Sequence, residues 1–250
     1  MDLSTYLALT TKLRKIYQKE LASSKQASSY LLSRASKDSI TTFKLGYCSN
    51  CFTASLFPNV SEKVLLQAGI FSKKESSLLD RFAERIVFPI NSAQGATLGF
   101  VSRSIKQSPF KYLNSEDGLF FKRSELFFGL DIAIPYIIRS GFVFICEGLF
   151  DVIAMHEAGF KNTIASLGTT LTAAQLETLK FFTDSVVILF DGDGAGQAAT
   201  LKAKADAKNL GFYTKSICLP VGEDPDSLYH SIGREPFKTY INNSKGGSLL

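Results

Sequence analysis

Residues 142–151 read FVFICEGLFD, and this stretch is the best indication of the fold of the second half of the chain. The apolar run Phe142–Cys146 predicts a buried β-strand, which ends where Glu147-Gly148 begins. Three later apolar runs, each preceded by a helical stretch, have the same form: Thr163–Ser166, Val186–Phe190 and Tyr213–Leu219. Strands that alternate with helices predict βαβ units and a parallel sheet.

Helix boundaries in this half are marked by capping residues. Thr172 precedes the helical stretch 173–182 and is a favoured N-cap residue. Gly211 follows the helical stretch 195–210, where glycine is the usual stop signal.

Acidic residues follow three of the four predicted strands. In an open parallel sheet, ligands collect beyond the carboxyl ends of the strands. We therefore expect up to six carboxylates to lie near one rim of the sheet: Glu147, Asp151, Asp191, Asp193, Asp224 and Asp226.

So much negative charge in one place repels itself unless a cation neutralises it or the groups take up protons. Mg²⁺ prefers oxygen ligands and accepts a few carboxylates together with substrate phosphates. Each acid alone has a simpler explanation as a turn residue, and Asp193 could cap the helix that begins near Ala195. Clusters at three strand ends favour the metal interpretation.

The first half of the chain has a different pattern. Apolar positions at helical spacing from residue 4 to 33 predict two helices with a Ser-rich break at 22–29. Two apolar runs, Ile86–Ile90 and Thr97–Val101, flank a polar turn that contains Gly95, which is typical of a β-hairpin. This half is predicted to be α+β with antiparallel strands.

Charge is divided unevenly along the chain. Residues 1–140 hold 19 Lys and Arg against 11 Asp and Glu, whereas residues 141–250 hold 9 against 12, within a net charge of +5. A basic part followed by an acidic part suggests a polyanion held by one lobe and metal-bearing carboxylates in the other, although two ordinary solvated surfaces would give the same counts.

The four cysteines do not form a disulfide framework in a chain of this length. Cys48-Ser-Asn-Cys51 has the spacing of half a zinc site, but His156 and His230 are the only other candidate ligands and lie far along the chain, so we expect no zinc. No apolar run approaches the ~20 residues that cross a bilayer. A cytoplasmic protein without a membrane partner is expected.

The acidic motifs Glu147-Gly148, Asp191-x-Asp193 and Asp224-x-Asp226 resemble the TOPRIM domain shared by primases and topoisomerases. Further stretches narrow the resemblance to the catalytic core of bacterial DnaG-type DNA primases and run in order through roughly residues 28–240. They are Tyr30–Arg34, Leu45–Tyr47, Asp80–Ile90, Lys111–Ser115, Glu147–Val152, Ala165–Thr169, Asp191–Gly196 and Glu223–Asp226.

The resemblance implies an α/β plus α+β fold, in which a Rossmann-like TOPRIM lobe with a parallel sheet is joined to a mixed α+β lobe. We predict a basic primase-core lobe at 1–139, a metal-binding TOPRIM lobe at 140–230 and a short helical segment at 231–250. Residues that look like the family's basic groove are Arg34, Arg81, Arg85, Arg103, Lys111 and Lys122, with Asn114 beside them.

The activity that the resemblance implies is synthesis of short RNA primers on single-stranded DNA from NTPs, by two-metal nucleotidyl transfer. Glu147, Asp191 and Asp193 would hold the catalytic Mg²⁺ or Mn²⁺. Asp151, Asp224 and Asp226 would help to hold a further metal that carries the triphosphate, and an RNA–DNA hybrid would be the product.

Family members usually carry a zinc-ribbon domain and a helicase-binding domain, and we expect neither in this stretch. A separate zinc-ribbon protein and a replicative helicase are therefore candidate partners. Two other functions stay open: a TOPRIM nuclease, and a non-catalytic protein that binds single-stranded DNA.

Overall fold

A computed structural model describes residues 1–50, 53–168 and 171–244. The chain divides into two compact units, Met1–Arg123 and Ser124–Leu250. The sequence placed a lobe boundary at 139/140, but residues 127–140 pack with the second unit. None of the described helices is long and apolar enough to cross a membrane.

The first unit contains helices and antiparallel strands, together with a short 3-10 helix at Thr53–Leu56. Its helices are α1 (Leu3–Ser23), α2 (Lys25–Leu32), α3 (Lys37–Thr42) and α4 (Glu62–Gln67). Its strands are β1 (Gly46–Cys48), β2 (Phe71–Lys74), β3 (Ser77–Asp80), β4 (Arg85–Asn91), β5 (Thr97–Ser104) and β6 (Tyr112–Asn114).

Helix α1 buries one face, because its apolar residues recur at helical spacing. Asp2 begins the helix, since its carboxylate accepts a hydrogen bond from the amide of Thr5 at 2.9 Å. The break before α2 is a single residue, Ser24, which caps α2 through the amide of Ala27. The sequence indicated a longer break at 22–29, but the other serines remain helical.

The predicted hairpin is present as β4 and β5, which pair antiparallel with Ile90 opposite Gly99. The sheet has the order β1-β4-β5-β6, and its neighbouring strands run antiparallel. Its core joins this sheet to α1 through buried side chains such as Tyr17, Phe82 and Phe100. Tyr17 also donates a hydrogen bond of 2.5 Å to the buried carboxylate of Asp80.

The second unit alternates strands and helices, after a 3-10 turn at Arg123–Glu125 that spans the boundary. Its strands are β7 (Phe127–Phe128), β8 (Val143–Cys146), β9 (Thr163–Ser166), β10 (Ser185–Ile188) and β11 (Tyr213–Ser216). Its helices are α5 (Leu130–Ser140), α6 (Leu149–Glu157), α7 (Ala173–Leu179), α8 (Gly194–Asn209), α9 (Pro225–Ile232) and α10 (Arg234–Ser244).

The five-stranded sheet has the order β11-β10-β8-β9-β7. Strands β8 to β11 pair in parallel, as predicted, and β7 adds an antiparallel edge that the sequence did not indicate. Thr172 caps α7 as predicted, and Gly211 follows α8 with a φ of +77°. The predicted C-terminal helical segment contains α10, and residues 245–250 lie outside the described residues.

Candidate functional site

Glu147 is the first residue after β8 and is half-buried. Its Oε1 atom is buried and has no hydrogen-bond partner among the described residues. Burial, followed by the charges of Asp191 and Asp193, raises the pKa of Glu147 to about 7. A buried, unpaired carboxylate oxygen beside two other acids is an arrangement that a cation would stabilise.

Asp151 lies in the first turn of α6 and is buried. Its carboxylate accepts hydrogen bonds from the amide of Gly148 at 2.8 Å and from the amide of Asp226 at 3.3 Å. Desolvation raises its pKa well above the usual range, and the charges of Asp224 and Asp191 add to this. Asp151 therefore connects the start of α6 to the start of α9.

Asp191 and Asp193 follow β10 at the same edge of the sheet. Asp193 is the N-cap of α8, and its Oδ1 accepts a hydrogen bond from the amide of Gly196 at 2.7 Å. The capping role that the sequence offered as the simpler explanation is therefore present, although it uses one carboxylate oxygen. Asp191 lies close enough to Glu147 and Asp151 to raise the pKa of both.

Asp224 and Asp226 belong to the start of α9. Asp224 is its N-cap and accepts a hydrogen bond of 2.6 Å from the amide of Ser227. Asp226 is buried, and its Oδ1 lies 3.3 Å from Nδ1 of His230. From the sequence, His230 was considered only as a zinc ligand. Its position four residues after Asp226 on the same helix was the signal that could have predicted this contact.

The structure thus brings acids that follow β8 and β10 and begin α9 to one edge of the sheet, and the charges of Asp191, Asp193 and Asp224 act on Glu147 or Asp151. We call this set the acidic edge: Glu147, Asp151, Asp191, Asp193, Asp224 and Asp226. No set of three or more His, Cys, Asp and Glu side chains in the described ranges is gathered closely enough to hold a metal ion. The orphaned Oε1 of Glu147 and the raised pKa values of Glu147 and Asp151 fit a divalent cation chemically.

Four glycines lie beside these acids, and for three of them a side chain would collide with the surrounding chain. A Cβ atom on Gly148 would lie 2.6 Å from the carboxylate of Asp151. A Cβ atom on Gly192 would lie 2.1 Å from the carbonyl of Pro220, and one on Gly196 would lie 2.3 Å from the carbonyl of Asp191. These glycines let the chain pack against itself. Only Gly194, among the four, has open space around its Cβ position.

The predicted basic residues of the first unit differ in exposure. Lys111 and Lys122 are exposed, whereas Arg34, Arg81, Arg103 and Asn114 are half-buried. Arg81 forms a 2.5 Å ion pair with Glu116. The guanidinium of Arg103 lies 5.2 Å from the ring centre of Tyr112.

Arg85 is buried, and its guanidinium is used internally. It donates hydrogen bonds to Ser108 Oγ at 3.2 Å and to the carbonyls of Phe110 at 2.8 Å and Lys111 at 3.4 Å. In this structure Arg85 supports the 105–111 loop, and the nucleic-acid contact that the resemblance implied for it stays a prediction.

Cys48 is buried, and its thiol donates a hydrogen bond to the carbonyl of Asn50 at 3.0 Å. Burial raises the pKa of this thiol far above its ordinary value. The second cysteine of the motif, Cys51, and the Thr169 position of the family resemblance lie outside the described residues.

An antiparallel α+β unit is followed by a parallel sheet, and acidic residues lie after the ends of its strands. This combination is typical of catalytic cores built on a Toprim-type domain. Residues 16–134 match the family described as DNA primase catalytic core, N-terminal domain, and residues 144–229 match the Toprim-like family. The chain belongs to the family of bacterial DnaG-type DNA primase catalytic cores.

Individual relatives agree. A DNA primase of Clostridium acetobutylicum is 34% identical over 242 residues, which are 95% of this chain and 40% of that protein. The zinc-binding and RNA polymerase domains of Aquifex aeolicus primase match with a TM-score of 0.88 and 32% identity, covering 98% of this chain and 63% of that one. A DnaG primase catalytic domain bound to single-stranded DNA matches with a TM-score of 0.87 and 30% identity, covering 96% and 79%.

These matches confirm the family and the fold class predicted from the sequence. The chain spans 40% to 50% of the length of the first two curated relatives it matches.

Proposed function

We propose that this chain is the polymerising core of a DNA primase, a nucleotidyltransferase that joins NTPs into a short RNA on single-stranded DNA. The observation that carries the proposal is the acidic edge, in which carboxylates from three separate β–α junctions are coupled within a Toprim-like sheet. Relatives named DNA primase, and one solved with single-stranded DNA, support the assignment.

The residues of the acidic edge divide into two groups in this proposal. Glu147, Asp191 and Asp193 would hold the catalytic Mg²⁺ or Mn²⁺, and Asp151, Asp224 and Asp226 would serve a further ion. Divalent ions in such sites stabilise the charge that develops on the attacking and leaving oxygens of nucleotidyl transfer.

Within the second group, Asp151 has a positioning role. Its two hydrogen bonds to the amides of Gly148 and Asp226 hold the loop after β8 against the start of α9. Because Asp151 is buried and bonded to backbone amides of both segments, it keeps the neighbouring acids in register.

The first unit would bind the template and the RNA–DNA hybrid. Lys111 and Lys122 are exposed cations, and Arg103 and Asn114 lie on paired neighbouring strands. Lys and Arg contacts to phosphate give affinity that tolerates any sequence and weakens with salt, as priming on varied templates requires. Arg34 and Arg81 belong to the same proposed set, and so does Arg85, whose contact with nucleic acid stays a prediction.

Other substrates and partners follow from the family resemblance. We propose NTPs as substrates and a replicative helicase as a partner. A cytoplasmic location stays a prediction from the sequence.

The direct test is primer synthesis from labelled NTPs on single-stranded templates, comparing the unmodified chain with Asp191→Ala. We expect RNA product only from the unmodified chain with Mg²⁺ or Mn²⁺. Asp184→Ala is a matched control, because Asp184 is an exposed acid of the same unit whose carboxylate pairs with Lys180. Equal synthesis by the Asp191 variant would remove the assignment.

The same reactions separate the two other functions. Loss of labelled DNA with Mg²⁺ and without NTPs would identify a nuclease. DNA binding that needs no metal and is followed by no product would identify a non-catalytic binding protein.

A further inference from the structure

Phe110 is a large apolar side chain that the fold leaves in water. Its exposed fraction is 64%, although phenylalanine normally contributes to the core. Phe110 follows Ser108-Pro109, a pair that is typical of a loop. Its exposed ring adds little to the core and is accessible to a ligand.

The backbone that carries Phe110 is held firmly. The buried guanidinium of Arg85 donates to the carbonyl of Phe110 at 2.8 Å and to Ser108 Oγ at 3.2 Å. Ser108 Oγ in turn accepts a hydrogen bond from the amide of Phe110 at 3.3 Å. The amide of Ser104 closes the loop by donating to the carbonyl of Lys111 at 3.0 Å.

These hydrogen bonds order the backbone of the loop, and the ring of Phe110 projects from it into solvent. An ordered support lowers the entropic cost of binding at the ring.

The chemistry around Phe110 is cationic. Residues 103–112 contain Arg103, Lys106 and Lys111 and no acidic residue. Lys106 is paired with Glu84 at 2.7 Å, whereas Lys111 is exposed directly beside Phe110. An exposed ring next to a lysine offers a flat apolar surface for a base and a positive charge for its phosphate.

From this arrangement we infer that Phe110 stacks on an unpaired base of single-stranded nucleic acid while Arg85 holds its loop in place. The inference deepens the proposed function and rests on it, since it assigns a specificity-determining residue to nucleic-acid binding by the first unit. Base stacking requires an unpaired base and tolerates any sequence, so Phe110 would favour single strands over duplexes. A protein partner fits less well, because residues 103–112 carry three basic residues and no acidic one.

The chain contains no tryptophan, which makes a direct optical test available. A Phe110→Trp variant carries one indole at the proposed stacking position. We expect its fluorescence to be quenched by an oligodeoxythymidine, by an RNA oligomer of the same length, or by both. The comparison shows whether the residue stacks on the DNA template, on the RNA product, or on both. An abasic oligomer of equal length and charge should bind without quenching.

Binding measured by fluorescence anisotropy gives the second readout. We expect Phe110→Ala to bind the base-containing strand about 5- to 100-fold more weakly, and Phe110→Trp to retain the affinity. The abasic strand should bind both variants alike. The slope of log affinity against log salt should not change in Phe110→Ala, because no charge is removed.

Phe181 provides the matched control, since it is an 85% exposed phenylalanine of the second unit. Phe181→Trp should show no quenching, and Phe181→Ala should bind normally. If the unmodified chain binds single strands while Phe110→Trp is not quenched and Phe110→Ala binds equally well, the stacking inference is wrong and the proposed function stands. If the unmodified chain binds no nucleic acid, both are wrong.

Discussion

The backbone amide of Gly192 donates a hydrogen bond of 2.9 Å to the carbonyl of Glu223. Gly192 lies between Asp191 and Asp193, and Glu223 lies directly before Asp224, so one bond joins two of the three acid-bearing segments. The third segment is joined through Asp151, which accepts a hydrogen bond from the amide of Asp226. The acidic edge is therefore assembled by backbone contacts as well as by the order of the strands.

Gly192→Ala tests whether this contact assembles the acidic edge. A Cβ atom at this position would lie 2.1 Å from the carbonyl of Pro220, and a backbone atom cannot move aside cheaply. We expect a loss of about 1–3 kcal/mol in the free energy of unfolding, measured with urea, and a loss of NTP incorporation. Gly194→Ala is the control, since nothing lies within 4 Å of its Cβ position. Equal stability of both variants would contradict the argument.

Glu147→Gln tests whether the charge of Glu147 destabilises the folded protein. The measurement is made with a chelator present, so that no metal ion neutralises the acidic edge. The pKa of Glu147 is raised to about 7 in the folded state from an ordinary value of 4.5, so the folded protein binds this proton more tightly than the unfolded chain. Its contribution to stability is therefore present below pH 4.5 and is lost as the pH rises through about 7.

A glutamine at position 147 carries no charge at any pH. We expect the free energy of unfolding of the variant to rise relative to the unmodified chain between pH 4.5 and 8, as measured by urea denaturation at each pH. The other acids are common to both proteins, so the difference reports the charge of Glu147 together with its repulsion by Asp191 and Asp193. Parallel pH profiles would show that this carboxylate is not strained.

The sequence was sufficient to predict the parallel sheet, since each of the strands from β8 to β10 is a short apolar run that ends near an acid or a turn residue. It did not indicate β7, because Phe127–Phe128 is too short for any periodic pattern to show. Helix ends were recognised where a side chain performs the capping, as at Thr172. The break at Ser24 was shorter than predicted, because a serine can also lie inside a helix.

The sequence predicted those residues of the candidate site that directly follow a predicted strand, such as Glu147 after β8. The contact from Gly192 to Glu223 joins segments far apart in sequence, and no local pattern encodes it. Arg85 shows the same limit, since all of β4 is buried and strand alternation therefore gives no indication of which side chains face solvent. The resemblance assigns Arg85 a role in binding, which stays a prediction, and the structure adds that its guanidinium supports a loop.

Arg85→Gln separates these two roles. Loss of the guanidinium removes its hydrogen bonds to Ser108 and to the carbonyls of Phe110 and Lys111. We therefore expect a stability lower by about 1–3 kcal/mol and weaker binding of single-stranded DNA. If Arg85 contacts no phosphate, the salt dependence of binding will keep its slope. Lys111→Gln should instead reduce that slope by about one, because Lys111 is exposed. A reduced slope for Arg85→Gln would show that Arg85 contacts phosphate as well as supporting the loop.

His156→Gln tests an acid-sensitive point in the core of the second unit. His156 is buried on α6, and its Nε2 lies 2.9 Å from the carbonyl of Thr163 on β9. Desolvation lowers the pKa of His156 to about 4 from an ordinary value of 6.5, so the unfolded chain binds this proton more tightly than the folded protein. The stability that the neutral ring contributes is present above pH 6.5 and is lost as the pH falls through about 4.

Glutamine can donate to the same carbonyl but cannot take up the proton. We therefore expect the unmodified chain to lose on the order of 2–3 kcal/mol more than the variant between pH 7 and 4, in urea unfolding followed by circular dichroism. At pH 7 the variant should be the less stable protein by about 1 kcal/mol, because the shorter amide packs the pocket less completely. If both proteins lose stability equally on acidification, the proton is taken up elsewhere and His156 is an ordinary packing residue.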